Sequence, residues 1–336
     1  MLPGALAGWS FGALSDRFGA RRVAIVGLLV AAIASFASGY SNSFATLVTL
    51  RVVEGVGYSL LVIAGTVLVA ESLPGRSALA LSIWSSFAPI GFALGQWGAA
   101  FAANDAPLST LGPAHAVVLA AAALALRLCV APSAERRSRG SSWGVVRQAP
   151  ASRTALAFGA TCAVILAAVA VTPVALAARS GLSVAQIASL TALAALPAIV
   201  GRIAPGWLLE RGMTPLTVFV LAALVAAVSI AGAFAAPLWP ALALFLVFQI
   251  AAGILPGLLS AMMPRVAPPG ELGSFSGICT QTINVGNLLG PPLALAAYAA
   301  AGTGAALALL VGLLAASVVA IAGLGVYRRR LSEAAG

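Results

Sequence analysis

A positive and a negative side chain stand three residues apart inside an apolar stretch of the chain. Arg51 and Glu54 interrupt the otherwise uncharged run that surrounds them. On a helix this spacing places both side chains on one face, where they can form an ion pair. The pair therefore has two interpretations. Either it neutralises itself as a structural element, or it binds a solute or couples to protons, with Glu54 taking the proton and Arg51 tuning its affinity.

Three amides recur at every third position of a second apolar stretch. Gln281, Asn284 and Asn287 fall along one stripe of a helix, and amides can hydrogen-bond a ligand without selecting its charge. Such amides also join neighbouring helices inside membranes, so the stripe either lines a cavity or holds helices together. Arg202 stands alone in a third apolar stretch. Its long side chain can snorkel to the lipid headgroups, or it can contact an anion or act in gating.

The sequence contains none of the usual sets of catalytic or metal-binding residues. The three cysteines, Cys129, Cys162 and Cys279, lie in apolar runs without CxxC or histidine spacing. His115 is the single histidine, and its position after a polar segment predicts an interfacial loop residue. We find neither a Ser-His-Asp arrangement nor a phosphate-binding loop. The sequence therefore predicts a protein that is not an enzyme and that holds no metal and no cofactor.

The composition is that of a chain embedded in a lipid bilayer. Hydrophobic residues make up 61% of the 336 residues and charged residues 8%, whereas soluble domains carry roughly a quarter charged residues. The mean hydropathy is +1.07. The net charge of +10 does not indicate a nucleic-acid partner, because the arginines flank apolar segments instead of forming a basic stripe with interleaved aromatic residues.

The hydropathy pattern predicts eleven membrane-spanning helices, since each apolar interval reaches or approaches the roughly 20 residues needed to cross a bilayer. The predicted spans are 1–14, 22–40, 45–70, 77–102, 114–131, 154–178, 185–209, 215–236, 238–262, 272–299 and 303–326. If the segment from Asp16 to Arg22 is cytoplasmic, every arginine except Arg51, Arg179 and Arg202 lies at the cytoplasmic side. The positive-inside rule then predicts a multi-pass protein of the bacterial inner (plasma) membrane with a cytoplasmic C-terminus.

The two halves of the sequence repeat one plan. The run from Leu2 to Arg17 returns as the run from Leu196 to Arg211, with identical residues at five positions and Asp16 opposite Glu210. A second echo relates residues 74–95 to residues 269–290. Parallel halves of this kind usually enclose a site between them and rock around it.

Two motifs carry a resemblance to a known family. The run from Gly12 to Arg22, GALSDRFGARR, resembles the signature loop G-x-L-[AS]-D-R-x-G-[RK]-[RK] of the major facilitator superfamily and departs from it only at Ala20. The run from Arg51 to Gly57, RVVEGVG, resembles the R-x-x-[QE]-G-x-[GA] element of the fourth helix of that family. The first resemblance implies a conformational-switch loop made of Gly12, Asp16, Arg17, Gly19, Arg21 and Arg22, with Glu210 and Arg211 in a degenerate second copy.

The resemblance implies an all-α fold, a polytopic bundle of transmembrane helices in two pseudo-symmetric halves. Residues 1–131 would form the first bundle, 132–153 a cytoplasmic linker, 154–327 the second bundle and 328–336 a cytoplasmic tail. By the repeat, we expect the first helix of the family plan to be absent from this sequence, either because the recorded start is too late or because the protein is naturally truncated. The resemblance also implies that Asp16 sits against the cytoplasmic N-terminus of the eleventh helix of the plan, near residues 270–274, and stabilises the outward-open state.

The implied function is secondary active transport of a small solute by alternating access. Protons or a counter-solute would supply the energy, because nothing resembles an ATP-binding cassette. The first candidate function is efflux of a drug-like compound or exchange of a small metabolite. The alternative is an uptake permease for a small organic or inorganic anion. A transport-inactive truncated protein, or a polytopic receptor or enzyme, is the alternative of another class. The expected partners are the bilayer, the solute and the coupling ion, and the expected state is a monomer.

Overall fold

The structure is a computed structural model, and it describes residues 1–73, 75–91, 94–95, 108–131, 142–192 and 195–334. Regular secondary structure in these ranges is helical, and none of their residues is in a strand. The helices are α1 (Leu2–Phe18), α2 (Ala20–Ser38), α3 (Phe44–Ser72), α4 (Ser77–Trp84), α5 (Leu108–Cys129), α6 (Ser142–Arg147), α7 (Ala149–Ser180), α8 (Val184–Ala192), α9 (Ala195–Glu210), α10 (Pro215–Ala235), α11 (Leu238–Val266) and α12 (Leu272–Ala334).

A helix stands at the position of each of the eleven predicted spans. Within the described residues, 8 helices are long and apolar enough to cross a membrane. Helix α12 breaks at Ala301 and Gly302, where the backbone leaves the helical region, and so supplies two predicted spans. Helix α1, with 17 residues, and the apolar helical segment Ser77–Gly91 are shorter. The far end of the predicted span 77–102 lies outside the described residues. The predicted all-α transmembrane fold is thus confirmed.

Helix ends follow from local sequence. Ser43 precedes α3 and its Oγ accepts a hydrogen bond from the Thr46 amide at 3.1 Å. Thr214 does the same for α10, where its Oγ1 accepts from the Thr217 amide at 3.2 Å. Hydroxyl side chains at these positions satisfy amide groups that the first helical turn leaves without partners.

The region predicted as a linker is partly helical. Helix α6 lies wholly within residues 132–153, and α7 begins at Ala149, five residues before the predicted start of its span. Pro150 stands in the first turn of α7, where its missing amide hydrogen costs nothing and its fixed φ favours a helix start. These helical turns could not be predicted from the sequence, because the Arg- and Ser-rich segment shows no apolar periodicity.

Gly19 connects α1 to α2 with a backbone that glycine adopts readily. Its φ of 86° and ψ of 133° lie in a region where a side chain is strained. We expect Gly19→Ala to lower the free energy of unfolding by roughly 1–3 kcal/mol. Thermal unfolding of the purified protein measures the loss. The control is Gly304→Ala, since Gly304 has open space around it and no positive φ. Equal unfolding temperatures for both variants would contradict this account.

The two halves meet through reciprocal contacts. In the repeat α1 corresponds to α9, and α4 to the first part of α12. Helix α1 packs against α12, and α9 packs against α4. In the first contact Gly8 meets Gly277 backbone to backbone. In the second, the equivalent residues are Arg202 and Ser82, and Ser82 Oγ donates a hydrogen bond to the Arg202 carbonyl at 2.7 Å. This exchange of partners is what a two-fold relation between the halves requires.

Candidate functional site: a central cavity between the two halves

A cavity of about 340 Å³ lies between the halves, with walls from α3 and α4 on one side and α7, α9, α11 and α12 on the other. Most of its wall is apolar, for example Leu81, Phe158, Ile165 and Ile283. A few polar groups interrupt that wall. A mostly apolar cleft with a small number of placed polar groups is typical of small-molecule binding sites.

Arg202 supplies the positive charge of the cavity. Its side chain lines the cavity, its Nη1 donates a hydrogen bond to the Ser85 carbonyl at 2.8 Å, and its buried Nε has no hydrogen-bond partner. No acidic residue occurs among the described residues of the lining. The snorkelling interpretation is therefore wrong, because the guanidinium turns into the protein and binds the carbonyl of Ser85, the residue that follows α4.

The predicted amide stripe divides between two environments. Asn284 and Asn287 line the cavity, and Asn284 Nδ2 also donates to the Thr280 carbonyl at 2.8 Å. Gln281 lies between α1 and α12, where its Oε1 accepts a hydrogen bond from the Trp9 amide at 3.4 Å. A spacing of three falls short of a full helical turn, so the stripe drifts around the helix and its first member faces a neighbouring helix.

Sequence reasoning missed two further features of the lining. Gln249 of α11 is 4% exposed, and its Oε1 has no hydrogen-bond partner. Aromatic rings of the first half form the opposite wall: Phe87 packs on Trp84 with centroids 5.1 Å apart and on Tyr58 at 6.4 Å. A lone glutamine in a charge-free span was the available signal, since a polar group there needs a partner or a cavity.

A second polar cluster joins α2, α3 and α5, away from the cavity lining. Glu54 forms an ion pair with Arg51, and its Oε1 lies 3.4 Å from His115 Nδ1. Ser35 Oγ donates to the Gly112 carbonyl at 3.3 Å and lies 2.9 Å from the same Nδ1. The Ser35 hydroxyl and the Glu54 carboxylate therefore meet at the same ring nitrogen of His115. His115 is thus a helical residue in contact with Glu54, and the loop prediction is wrong.

Asp16 joins α1 to the start of α12. Its Oδ1 accepts from the Gly273 amide at 2.8 Å, and its Oδ2 accepts from the Ser274 amide and Oγ, both at 2.7 Å. The carboxylate thereby fills the amide groups of a helix N-terminus, where negative charge is favoured. Burial raises the pKa of Asp16, and the three donors oppose that rise. Burial and the charge of Asp16 raise the pKa of Glu271. The carboxylate lies where the resemblance implied.

Comparison with known proteins assigns the family. The profile of the family described as Major Facilitator Superfamily matches residues 1–174 and again residues 154–335. The chain belongs to the major facilitator superfamily. It is therefore a multi-pass integral membrane protein of a family of transporters. A curated relative from Bacillus subtilis (strain 168), the uncharacterized MFS-type transporter YwoD, is 31% identical over 90 residues, 27% of this chain and 20% of the relative. The match thus spans one fifth of the length of that relative.

Solved structures of the superfamily share the fold. The human organic anion transporter MFSD10 (TETRAN) superposes with a TM-score of 0.81 at 20% identity, covering 94% of this chain and 80% of that one. The transporter FucP in its outward conformation gives 0.77 at 16% identity, covering 94% and 85%. A structure of the E. coli fucose:proton symporter FucP gives 0.74 at 17% identity, covering 93% and 86%.

The remaining residues of the superfamily loop have separate contacts. Gly12 lets α1 approach the backbone of Gly273. Arg17 lies over the Phe18 ring at 5.2 Å, Arg21 donates to the Arg127 carbonyl at the end of α5, and Arg22 is exposed in the first turn of α2. In the second copy Glu210 is exposed, and Arg211 stacks on the Trp207 ring at 3.5 Å. The contact of Asp16 has no visible counterpart at Glu210 in the described part of the chain.

The cysteines of this superfamily member are free thiols. Cys162 and Cys279 are buried in the cavity wall, and Cys129 is exposed. Within the described residues, no group of three or more His, Cys, Asp or Glu side chains could hold a metal ion.

Proposed function

We propose that this protein is a secondary active transporter that moves a small solute by alternating access through the central cavity. The observation that carries the proposal is a cavity whose walls come from both halves, with reciprocal helix contacts on either side of it. If the halves rock, the cavity can open to one side and then to the other. The Asp16 contact with α12 would hold the Asp16 side closed.

The proposed orientation follows from the arginines. With the loop from Asp16 to Arg22 in the cytoplasm, the C-terminus is cytoplasmic too, and the protein resides in a bacterial inner membrane. We propose that it acts as a monomer, because each chain contains both walls of its cavity.

Two classes of solute fit the cavity. A drug-like compound or a small metabolite suits an apolar wall interrupted by amides. A small anion is the second candidate, and it is favoured by Arg202, whose charge has no acidic partner in the described lining. Among the structural neighbours, one is named an organic anion transporter and another a fucose:proton symporter.

We propose that protons drive transport and that Glu54 is the coupling residue, with Arg51 and His115 as its partners. Purified protein in vesicles loaded with a pH-sensitive dye should show proton movement when a transported solute is added. The panel of solutes is ethidium, fucose, lactate and benzoate. We expect Glu54→Gln to abolish the proton signal, because a neutral amide side chain does not bind and release a proton near neutral pH.

The control for coupling is Glu210→Gln, which removes an exposed carboxylate at the end of α9, outside the cluster around Glu54. That variant should keep the signal. Solute transport accompanied by an unchanged proton signal in Glu54→Gln vesicles would rule out Glu54 as the coupling residue. Absence of movement of every solute in the panel by the wild-type protein would argue against the proposed function.

A further inference from the structure

The described lining of the cavity contains a cation without an acidic partner and, on another helix, an amide oxygen without a hydrogen-bond donor. Arg202 keeps its charge on a buried site, with one neutral carbonyl as the acceptor for Nη1 and none for Nε. An unpaired charge away from water is unfavourable, so such a site is stabilised when an anion enters. Gln249 Oε1 is a buried acceptor without a donor. It is completed by a ligand that carries an O–H or N–H group.

The rest of the wall selects the body of that ligand. Trp84, Phe87 and Tyr58 form one side, and Phe158 and Ile165 lie on the other half. Flat apolar walls of this kind bury an aromatic ring favourably. The single guanidinium of Arg202 balances the charge of one carboxylate, so it favours a monoanion. The cavity volume of about 340 Å³ is at the small end of the range for ligand sites, so it favours a small ligand.

We propose that the solute is a small aromatic monocarboxylate that also carries a hydrogen-bond donor. Its carboxylate binds Arg202, its donor faces Gln249 Oε1, and its ring lies against the aromatic wall of Trp84, Phe87 and Tyr58. This assignment rests on the proposed function, since it names the solute of the same cavity. One ligand would then satisfy both polar atoms that lack a partner in the described lining.

The test uses para-hydroxybenzoate as the probe and removes one of its groups at a time. Titration calorimetry of the full chain in lipid nanodiscs compares it with para-hydroxybenzyl alcohol, which lacks the charge, and with benzoate, which lacks the donor. We expect the alcohol to bind at least about tenfold more weakly and benzoate about fivefold more weakly, the ratios typical of a charged and a neutral hydrogen bond.

Variants then assign each ratio to one residue. Arg202→Gln should remove the preference for para-hydroxybenzoate over the alcohol, and Arg202→Lys should retain part of it. Gln249→Leu should remove the preference over benzoate and leave the charge preference intact. The matched control is Arg179→Gln, because Arg179 also binds backbone carbonyls, those of Ala233 and Phe234, but lies outside the cavity lining. That control should keep both ratios.

The proposal is overturned if the alcohol binds as tightly as para-hydroxybenzoate, if Arg202→Gln keeps the charge preference, or if folded wild-type protein binds no carboxylate at millimolar concentration. Transport in vesicles separates this outcome from failure of the proposed function. Arg202-dependent binding without any uptake would leave the ligand assignment standing and reject the transport proposal. Uptake of a neutral solute that para-hydroxybenzoate does not inhibit would support the transport proposal and reject the ligand assignment.

Discussion

Gly277→Ala is expected to slow solute transport about tenfold or more by forcing α1 and α12 apart. A methyl group at Gly277 would overlap the Gly8 carbonyl and lie 3.1 Å from the Gly12 Cα. Both neighbours are backbone atoms of a continuous helix, so neither can rotate away as a side chain would. Inserting a methylene into a packed contact typically costs roughly 1–3 kcal/mol. Here the whole cost falls on the contact between the halves, which would form and break in each cycle of the proposed alternating access.

The expected result is a fall in transport rate of about tenfold or more, since each 1.4 kcal/mol is about a factor of ten. The measurement is solute uptake into vesicles containing equal amounts of folded protein, checked by the unfolding temperature. Gly312→Ala is the matched control, because Gly312 lies in the second part of the same helix with nothing within 4 Å of an added methyl group. Wild-type uptake by Gly277→Ala would show that the close contact is dispensable.

The fold could be predicted from the sequence because its two strongest signals are independent of tertiary detail. Charge-free intervals of membrane length predicted the membrane-spanning helices. The repeat of the run from Leu2 to Arg17 predicted two halves built on the same plan. The position of Asp16 against α12 came from the resemblance of its loop to the superfamily motif. Negative charge is favoured at a helix N-terminus, and the Asp16 carboxylate does accept hydrogen bonds from the first amides of α12.

The side chains of the site were harder to predict because their surroundings come from distant segments. Periodicity suggested that Gln281 and Asn284 share a face, but which neighbour covers that face depends on the approach of α1. His115 gave no sign of its contact with Glu54, because two helices far apart in sequence must first pack. The direction of the Arg202 side chain depends on the carbonyl of Ser85, just after α4, and no sequence pattern identifies that acceptor.

Asp16→Asn is expected to open the Asp16 side of the cavity and to slow transport. The carboxylate accepts three hydrogen bonds from Gly273 and Ser274, and an amide offers one oxygen in place of two. At least one donor at the start of α12 then loses its acceptor, and the favourable charge at the helix N-terminus is gone. Hydrogen bonds to charged groups are worth roughly 1.5–3 kcal/mol each, enough to shift the equilibrium between closed and open states about tenfold or more.

Cys162 and Cys279 report the opening, because both thiols lie in the cavity wall. In a Cys129→Ala background, a membrane-impermeant maleimide applied from the Asp16 side should label wild-type protein slowly and Asp16→Asn about tenfold faster, if labelling follows the open population. Glu210→Gln should label at the wild-type rate, since Glu210 is exposed at the equivalent position of the repeat. Equal rates for all three would mean that the closed side is held by the glycine contacts between α1 and α12 without help from the carboxylate.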